Sequence, residues 1–325
     1  MLKNWNQQSV LIAGLGSIGQ RHLRALRALG VTDIRACDPV AASVEKAKAF
    51  YPEIKIYPSF QEGLSSHPDA VYLLTPPKMH IPMALLALEG GCHVFCEKPL
   101  SDTLEGVDEL YDKLSQTQKS LCIGLCFRYH QGIKRARALM DSNAVGRVVS
   151  IRSLMGEHFP SVRPDYKTLF SARYSGAFDL MHDLDLTLWF AGQPAREIHC
   201  VYGSYSDIGI QAPDVAEILI GFPDRCTATV HLDFFQQPRR RQIELICTEG
   251  CIIVDFSTWD TCTVRVYRAH QKEWECHTFP TDRDDMFREE SQAFLEHIWG
   301  ASEATVYGIE DAMLSLKVLH QIQNK

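Results

Sequence analysis

The 325-residue chain has no CxxC pair among its 11 cysteines, no long apolar run and no excess of positive charge. Each gap removes a class of protein. Cys92/Cys96, Cys122/Cys126 and Cys247/Cys251 recur at a spacing of four, but each pair straddles strand-like or turn sequence, which does not read as a zinc site. The odd count predicts reduced, mostly buried thiols in a cytoplasmic protein. No segment carries the ~20 apolar residues a bilayer span needs. Met1-Leu2-Lys3-Asn4-Trp5-Asn6 holds no signal-peptide core. A formal charge of −7 weighs against nucleic acid and against anionic membrane as partners. The local exception, Arg239-Arg240-Arg241, follows Pro238 and enters an apparent strand. It is expected to be a solvated strand start or a subunit contact. Internal repeats and low-complexity tracts are also missing.

What is present is ordinary globular material, 46% hydrophobic and 22% charged, in a chain long enough for two domains. Up to about residue 125, strand and helix alternate. Val10-Leu11-Ile12-Ala13 is an apolar run that ends at a glycine turn. Ile18, Leu23, Leu26 and Leu29 then recur at helical spacing, with Arg21, Arg24 and Arg27 on another face. Strands follow at Asp33–Cys37, Val71–Leu74 and His93–Cys96, with helices over Ala41–Phe50 and around Met83–Leu88. Such βαβ alternation predicts a parallel sheet covered on both faces. Beyond that point the texture changes. Thr227 to Phe234 alternates apolar and polar residues, and Phe222-Pro223-Asp224-Arg225 and Glu249-Gly250 mark hairpin turns. The second region therefore reads as an antiparallel sheet. Helical spacing returns with Phe287, Phe294 and Ile298, then with Ile309, Met313, Leu316 and Leu319.

Three constellations carry chemistry. Gly14-Leu15-Gly16-Ser17-Ile18-Gly19 follows a strand and opens a helix, in the G-x-G-x-x-G order that lets backbone approach a pyrophosphate at a helix N-terminus. Asp38 lies nineteen residues after Gly19 at the end of the second strand. A carboxylate there accepts from ribose hydroxyls and repels a 2′-phosphate, which favours NAD over NADP. The second is Glu97-Lys98-Pro99, at the end of a strand about one half-domain later. Ligands of doubly wound sheets lie beyond the carboxyl ends of the strands, so Lys98 reaches the reacting end of a cofactor, beside Glu97. The third is Asp179, His182 and Asp185, three residues apart. On one helix they share a face, and flanking carboxylates would orient the imidazole as a general base. The same spacing also fits a structural cluster at a helix N-terminus. A metal site is not expected, since no second histidine lies at ligand spacing.

Together with Thr75-Pro76-Pro77-Lys78-Met79-His80 and the late Met286-Phe287-Arg288-Glu289-Glu290, these motifs resemble the glucose-fructose oxidoreductase / inositol dehydrogenase (Gfo/Idh/MocA) family over nearly the whole chain. The resemblance implies an α/β protein with an N-terminal Rossmann doubly wound parallel sheet over residues 1–125. A C-terminal α/β domain with an open, mostly antiparallel sheet over 126–325 would bind substrate and form a homodimer or homotetramer, the last helices packing back on the first domain. It implies Lys98 as the polariser of a substrate hydroxyl, His182 as the base and Asp185 as a substrate-site carboxylate. Thr75, Pro76, His80, Glu97 and Arg128 would join Gly14, Gly16, Ser17, Ile18, Gly19 and Asp38 around the cofactor. Arg128-Tyr129 falls where the family's active site is entered from the sheet. One departure is that many members carry the first Asp four residues before the His, not three. That spacing resembles a branch linked to surface-sugar or acidic-sugar metabolism, and it bears on the role of Asp179.

The expected activity is NAD-dependent hydride transfer to or from a secondary alcohol of a sugar, sugar acid or cyclitol, with Tyr166, Arg163 and Arg173 contacting substrate. Two alternatives stand beside it. A transient oxidation could serve a lyase or hydrolase, or the chain could be a silent NAD-binding sensor or partner subunit. A Rossmann-type methyltransferase fits Glu97-Lys98-Pro99 poorly.

Overall fold

A computed structural model describes Trp5 and residues 7–170, 175–300 and 304–324. The chain divides into two units. One comprises residues 1–126 and 284–316, the other 127–283 and 317–325.

The first unit holds β1 (Ser9–Ala13), α1 (Ser17–Ala28), β2 (Asp33–Cys37), α2 (Ala41–Phe50), β3 (Lys55–Ile56), α3 (Phe60–Leu64), β4 (Ala70–Leu73), α4 (His80–Glu89), β5 (His93–Glu97), α5 (Val107–Gln116) and β6 (Leu121–Gly124). The six strands are parallel in the order β3-β2-β1-β4-β5-β6. This is the doubly wound order, whose switch point lies between β1 and β4. Each strand feeds two cores with alternate residues. Leu11, Ala13, Val71, Leu73, Val94 and Cys96 enter one, and Val10, Ile12, Ala70, Tyr72 and Phe95 the other. A strand buried on both faces is why the sequence shows continuous apolar runs here rather than alternation.

The second unit holds α6 (Gln131–Asp141), β7 (Val148–Gly156), the short helices α7 (Phe159–Val162) and α8 (Tyr166–Leu169), and α9 (His182–Ala191). Then come β8 (Glu197–Gly203), β9 (Val215–Phe222), β10 (Cys226–Asp233), β11 (Arg240–Cys247), β12 (Gly250–Asp255), β13 (Thr261–Arg268) and β14 (Glu273–Pro280). The eight strands run β14-β13-β12-β11-β7-β10-β9-β8. Every neighbouring pair is antiparallel except β7 and β10, which are parallel. One face is covered by α6 and α9. Gly132 on α6 permits a close approach, since a Cβ there would stand 2.2 Å from the Cys262 sulfur.

Two late helices follow, α10 (Arg283–Trp299) and α11 (Ile309–Gln323). In the first unit, Phe294 and Leu295 complete the core containing Tyr72 and Phe95, while Ile309, Ala312, Met313 and Leu316 complete the opposite one. All eleven cysteines are free thiols. Among the described residues no helix is long and apolar enough to cross a membrane.

Candidate functional site

The carboxyl edge of the parallel sheet carries Gly14 after β1, Asp38 after β2, Thr75 after β4 and Lys98 after β5. The three glycines do different work. Gly14 has φ +98°, and a Cβ on it would stand 2.5 Å from the Leu74 carbonyl oxygen. A Cβ on Gly19 would stand 2.1 Å from the Gly14 oxygen, so this contact between helix and turn requires glycine. Gly16 has nothing within 4 Å of the same point, which leaves room for an approaching group. Helix α1 starts there with no side-chain cap and no acid in its first turn. Its first N–H groups have no partner within the helix and face outward with the positive end of the dipole, as an anionic diphosphate requires.

Asp38 closes this turn. Its Oδ2 accepts the Leu15 N–H at 2.6 Å and its Oδ1 accepts the Val40 N–H at 2.7 Å. A carboxylate offers about four acceptor positions, so capacity for a ribose hydroxyl remains. His80 ties together the loops after β4 and β5. Its Nε2 lies 2.7 Å from the Thr75 oxygen and its Nδ1 2.8 Å from the Pro99 oxygen. Burial holds this imidazole below its ordinary pKa. Glu97 is buried, and its Oε2 accepts the backbone N–H of half-buried Lys98 at 3.0 Å.

In the second unit the acidic helix differs from its sequence pattern. Gly176–Leu180, which contains Asp179, is a 3-10 turn with Gly176 at φ +72°, and the α-helix begins only at His182. Asp179 and His182 therefore belong to two successive elements, a 3-10 turn and the start of an α-helix, rather than to one continuous helix. Asp185 is fully buried and its two oxygens accept from Arg128 Nε and Nη2 at 3.0 and 2.7 Å. Arg128 is itself fully buried over Trp189. The resemblance implies a substrate-site role for Asp185 and a cofactor-lining role for Arg128. The structure pairs them with one another, because an arginine taken out of water requires a bidentate anion. The His182 ring packs at 4.9 Å from Phe127. Arg241 covers that same phenylalanine at 3.6 Å and is held bidentately by buried Asp183, at 3.0 and 2.7 Å. The expected solvated arginine run is thus partly buried. Arg241 is an internal ion pair, and Arg239 stacks at 4.4 Å on Trp259.

The three substrate candidates are dispersed in character. The Tyr166 hydroxyl donates to the Ile208 oxygen at 2.7 Å, and its ring packs against the Phe170, Phe234 cluster. Half-buried Arg163 pairs with Asp165 at 3.1 Å. Arg173 lies outside the described residues, as do Ser171 and Ala172.

Sequence reasoning missed His22 and Glu290. His22 is fully buried on α1, with Nε2 3.1 Å from Glu97 Oε1 and Nδ1 3.3 Å from Ser291 Oγ. Its signal was present, because the residue adjoins Leu23 and lies four before Leu26 on a face that reads as apolar. Glu290 falls three residues after Phe287 and four before Phe294, on the buried stripe of α10.

A doubly wound sheet with a glycine turn, an uncapped helix N-terminus and a terminal acid on β2 defines a dinucleotide-binding protein. Comparison with known proteins narrows the class. The profile of the GFO/IDH/MocA oxidoreductase family with its NAD-binding Rossmann fold matches residues 8–125, and that of the family's C-terminal domain matches 133–253. The chain belongs to this family. It is 28% identical over 203 residues to an inositol 2-dehydrogenase of Salmonella paratyphi B, a match covering 61% of this chain and 58% of that protein. It is 29% identical over 222 residues to D-xylose 1-dehydrogenase (NADP(+)) 2 of Haloferax volcanii, covering 67% and 59%. The chain thus spans little more than half the length of these relatives. Among solved structures, scyllo-inositol dehydrogenase from Lactobacillus casei with bound NAD(H) and scyllo-inositol shares the fold at TM-score 0.83 and 21% identity, over 99% of this chain and 96% of that one. UDP-N-acetylglucosamine 3-dehydrogenase from Acidithiobacillus ferrooxidans does so at 0.79 and 21%, over 98% and 97%.

Proposed function

We propose that the protein is an NAD-dependent dehydrogenase acting on a secondary alcohol of a cyclitol, sugar or sugar acid. The observation that carries this reading is the glycine turn closed by Asp38, on the same sheet edge as Lys98. The cradle fits a dinucleotide, since a Cβ is excluded at Gly14 and Gly19 and space is open at Gly16. Leu15 to Gly19 would hold the diphosphate, and Asp38 would take the adenosine ribose and repel a 2′-phosphate. The bound nicotinamide supplies a hydride acceptor or donor.

The chain's own residues supply the rest. The Lys98 ammonium stabilises an alkoxide as it develops, and His182 takes the hydroxyl proton. Asp179 places a second carboxylate close in sequence to that base. The names of the relatives at under 30% identity point toward cyclitols and sugars as substrate class. The decisive assay is a panel of inositols, aldoses and uronates with NAD and NADP, for the wild type and Lys98→Met. NAD-linked turnover in the wild type, lost in Lys98→Met with cofactor binding kept, supports the reading. Turnover that survives Lys98→Met removes Lys98 from the chemistry. Product without NADH accumulation moves the activity to transient oxidation.

A further inference from the structure

Beneath Lys98, three side chains from three elements of the first unit converge: His22 from α1, Glu97 from β5 and Glu290 from α10. One ligand-type atom from each lies within 4.8 Å of the others, and all three residues are buried. Two carboxyl groups in so small a space pose a problem of charge. Glu97 is well solvated by protein, accepting from the Lys98 backbone N–H at 3.0 Å and lying 3.1 Å from His22 Nε2. Glu290 is not. Neither of its oxygens accepts a hydrogen bond, and His22 Nε2 is 3.9 Å from its Oε1. Even a charged His22 would balance only one of two carboxylates, leaving the other as a buried, unsolvated anion, which burial strongly disfavours. The remaining polar neighbours do not remove that charge. Tyr72 on β4 brings a buried hydroxyl, and Arg21, next to His22 on α1, pairs with Asp284 further up α10.

We propose that Glu290 is kept as the neutral carboxylic acid in the folded protein, as a positioning residue whose proton lets Glu97 stay ionised and hold Lys98 at the end of β5. Glu290 holds the proton because neither of its oxygens has an N–H donor to stabilise a charge. Burial, reinforced by the Glu97 charge, lifts the Glu290 carboxyl well above the ordinary range, in agreement with this assignment. Ionising Glu290 would set a second negative charge against Glu97 and loosen its grip on the Lys98 backbone. The link to turnover rests on the reading of Lys98 as the reactive lysine; the protonation state of Glu290 does not.

The experiment compares full-length wild type, Glu290→Gln and Glu290→Leu in denaturant unfolding from pH ~5.5 to ~9. A carboxyl that stays protonated when folded and ionises when unfolded makes the wild type lose stability as pH rises. The ratio of its unfolding constant to that of Glu290→Gln should therefore grow by up to about tenfold per pH unit. A ratio that stays flat or shrinks with rising pH overturns the proposal, because it means the folded protein carries Glu290 ionised. So does a stoichiometric divalent metal in the purified wild type that is absent from Glu290→Gln, since the trio would then be a metal site. In the substrate panel, wild-type turnover should fall at least tenfold where rising pH ionises Glu290, while Glu290→Gln and Glu290→Leu, which carry no charge there, keep turnover and NADH affinity. Equal loss in both variants overturns the link to Lys98. If Lys98→Met itself leaves turnover intact, the functional reading fails, while the unfolding ratio still reports on Glu290.

Discussion

Asp38 accepts the backbone N–H of Leu15 at 2.6 Å, so the acid that ends β2 also shapes the turn that ends β1. One side chain thereby shapes the glycine turn and offers acceptors at its rim. Asp38→Ala should weaken NADH binding by more than the loss of a ribose contact alone, on the order of a hundredfold, the equivalent of two charge-assisted hydrogen bonds. It should also narrow the preference for NADH over NADPH. Fluorescence titration with both cofactors checks this, and an unchanged preference would separate Asp38 from ribose recognition.

The glycines of that turn should separate folding from binding. Gly16→Ala has room and an ordinary φ of −63°, so its thermal midpoint should match the wild type while NADH affinity falls about tenfold. Gly19→Ala pushes a methyl into the Gly14 carbonyl and should lose roughly 1–3 kcal/mol of stability. Parallel melting curves and titrations decide the matter. Equal stability for the two variants contradicts the assignment.

The buried Arg128–Asp185 pair makes a prediction of a different kind. Removing one partner leaves a charge without its counterion, so Arg128→Met should cost about 3–5 kcal/mol. The double variant Arg128→Met/Asp185→Leu should recover much of that loss. Urea unfolding of the cycle measures the coupling. Additive losses would show that the two side chains act independently.

On the sheet, His231 lies between Asp233 at 2.8 Å and Glu217 at 2.5 Å, and the hydrogen bond to Asp233 leads in raising its pKa to about 9. A raised pKa means that the folded state holds the proton more tightly. The stabilisation is therefore complete below the ordinary value of 6.5 and is lost as pH climbs through about 9. His231→Gln should be less stable than the wild type at neutral pH, on the order of 1 kcal/mol after allowance for partial exposure, with the gap closing in alkali. A gap that widens with pH would reverse the assignment.

The parallel sheet was legible because its signals are local and repeated. Val10 to Ala13 is apolar throughout, a glycine turn follows, and Leu23 and Leu26 keep helical spacing. Helix α5 and strand β6 were not singled out, since Val107 and Leu110 are the only buried residues of α5 and β6 spans four residues. The Asp179–His182–Asp185 pattern spans two elements. Its spacing is helical, but Gly176 and the 3-10 turn are set by a close approach to the Pro213 carbonyl, where a Cβ at Gly176 would stand 2.3 Å away. The ion pairs Arg128–Asp185 and Arg241–Asp183 join residues 57 and 58 positions apart, and nothing local in the sequence selects one aspartate over the other.

The first unit is assembled from the beginning of the chain and from residues 284–316, with Phe294 seated against Tyr72 and Phe95 at 5.5 and 5.7 Å. On the ribosome the six parallel strands emerge long before their last covering helix. The face that receives Phe294 must therefore wait, uncovered, while some 160 residues of another unit are synthesised. Order of synthesis and order of burial are opposed in this protein, and the apolar face of its first-made half stays open until the chain is nearly complete.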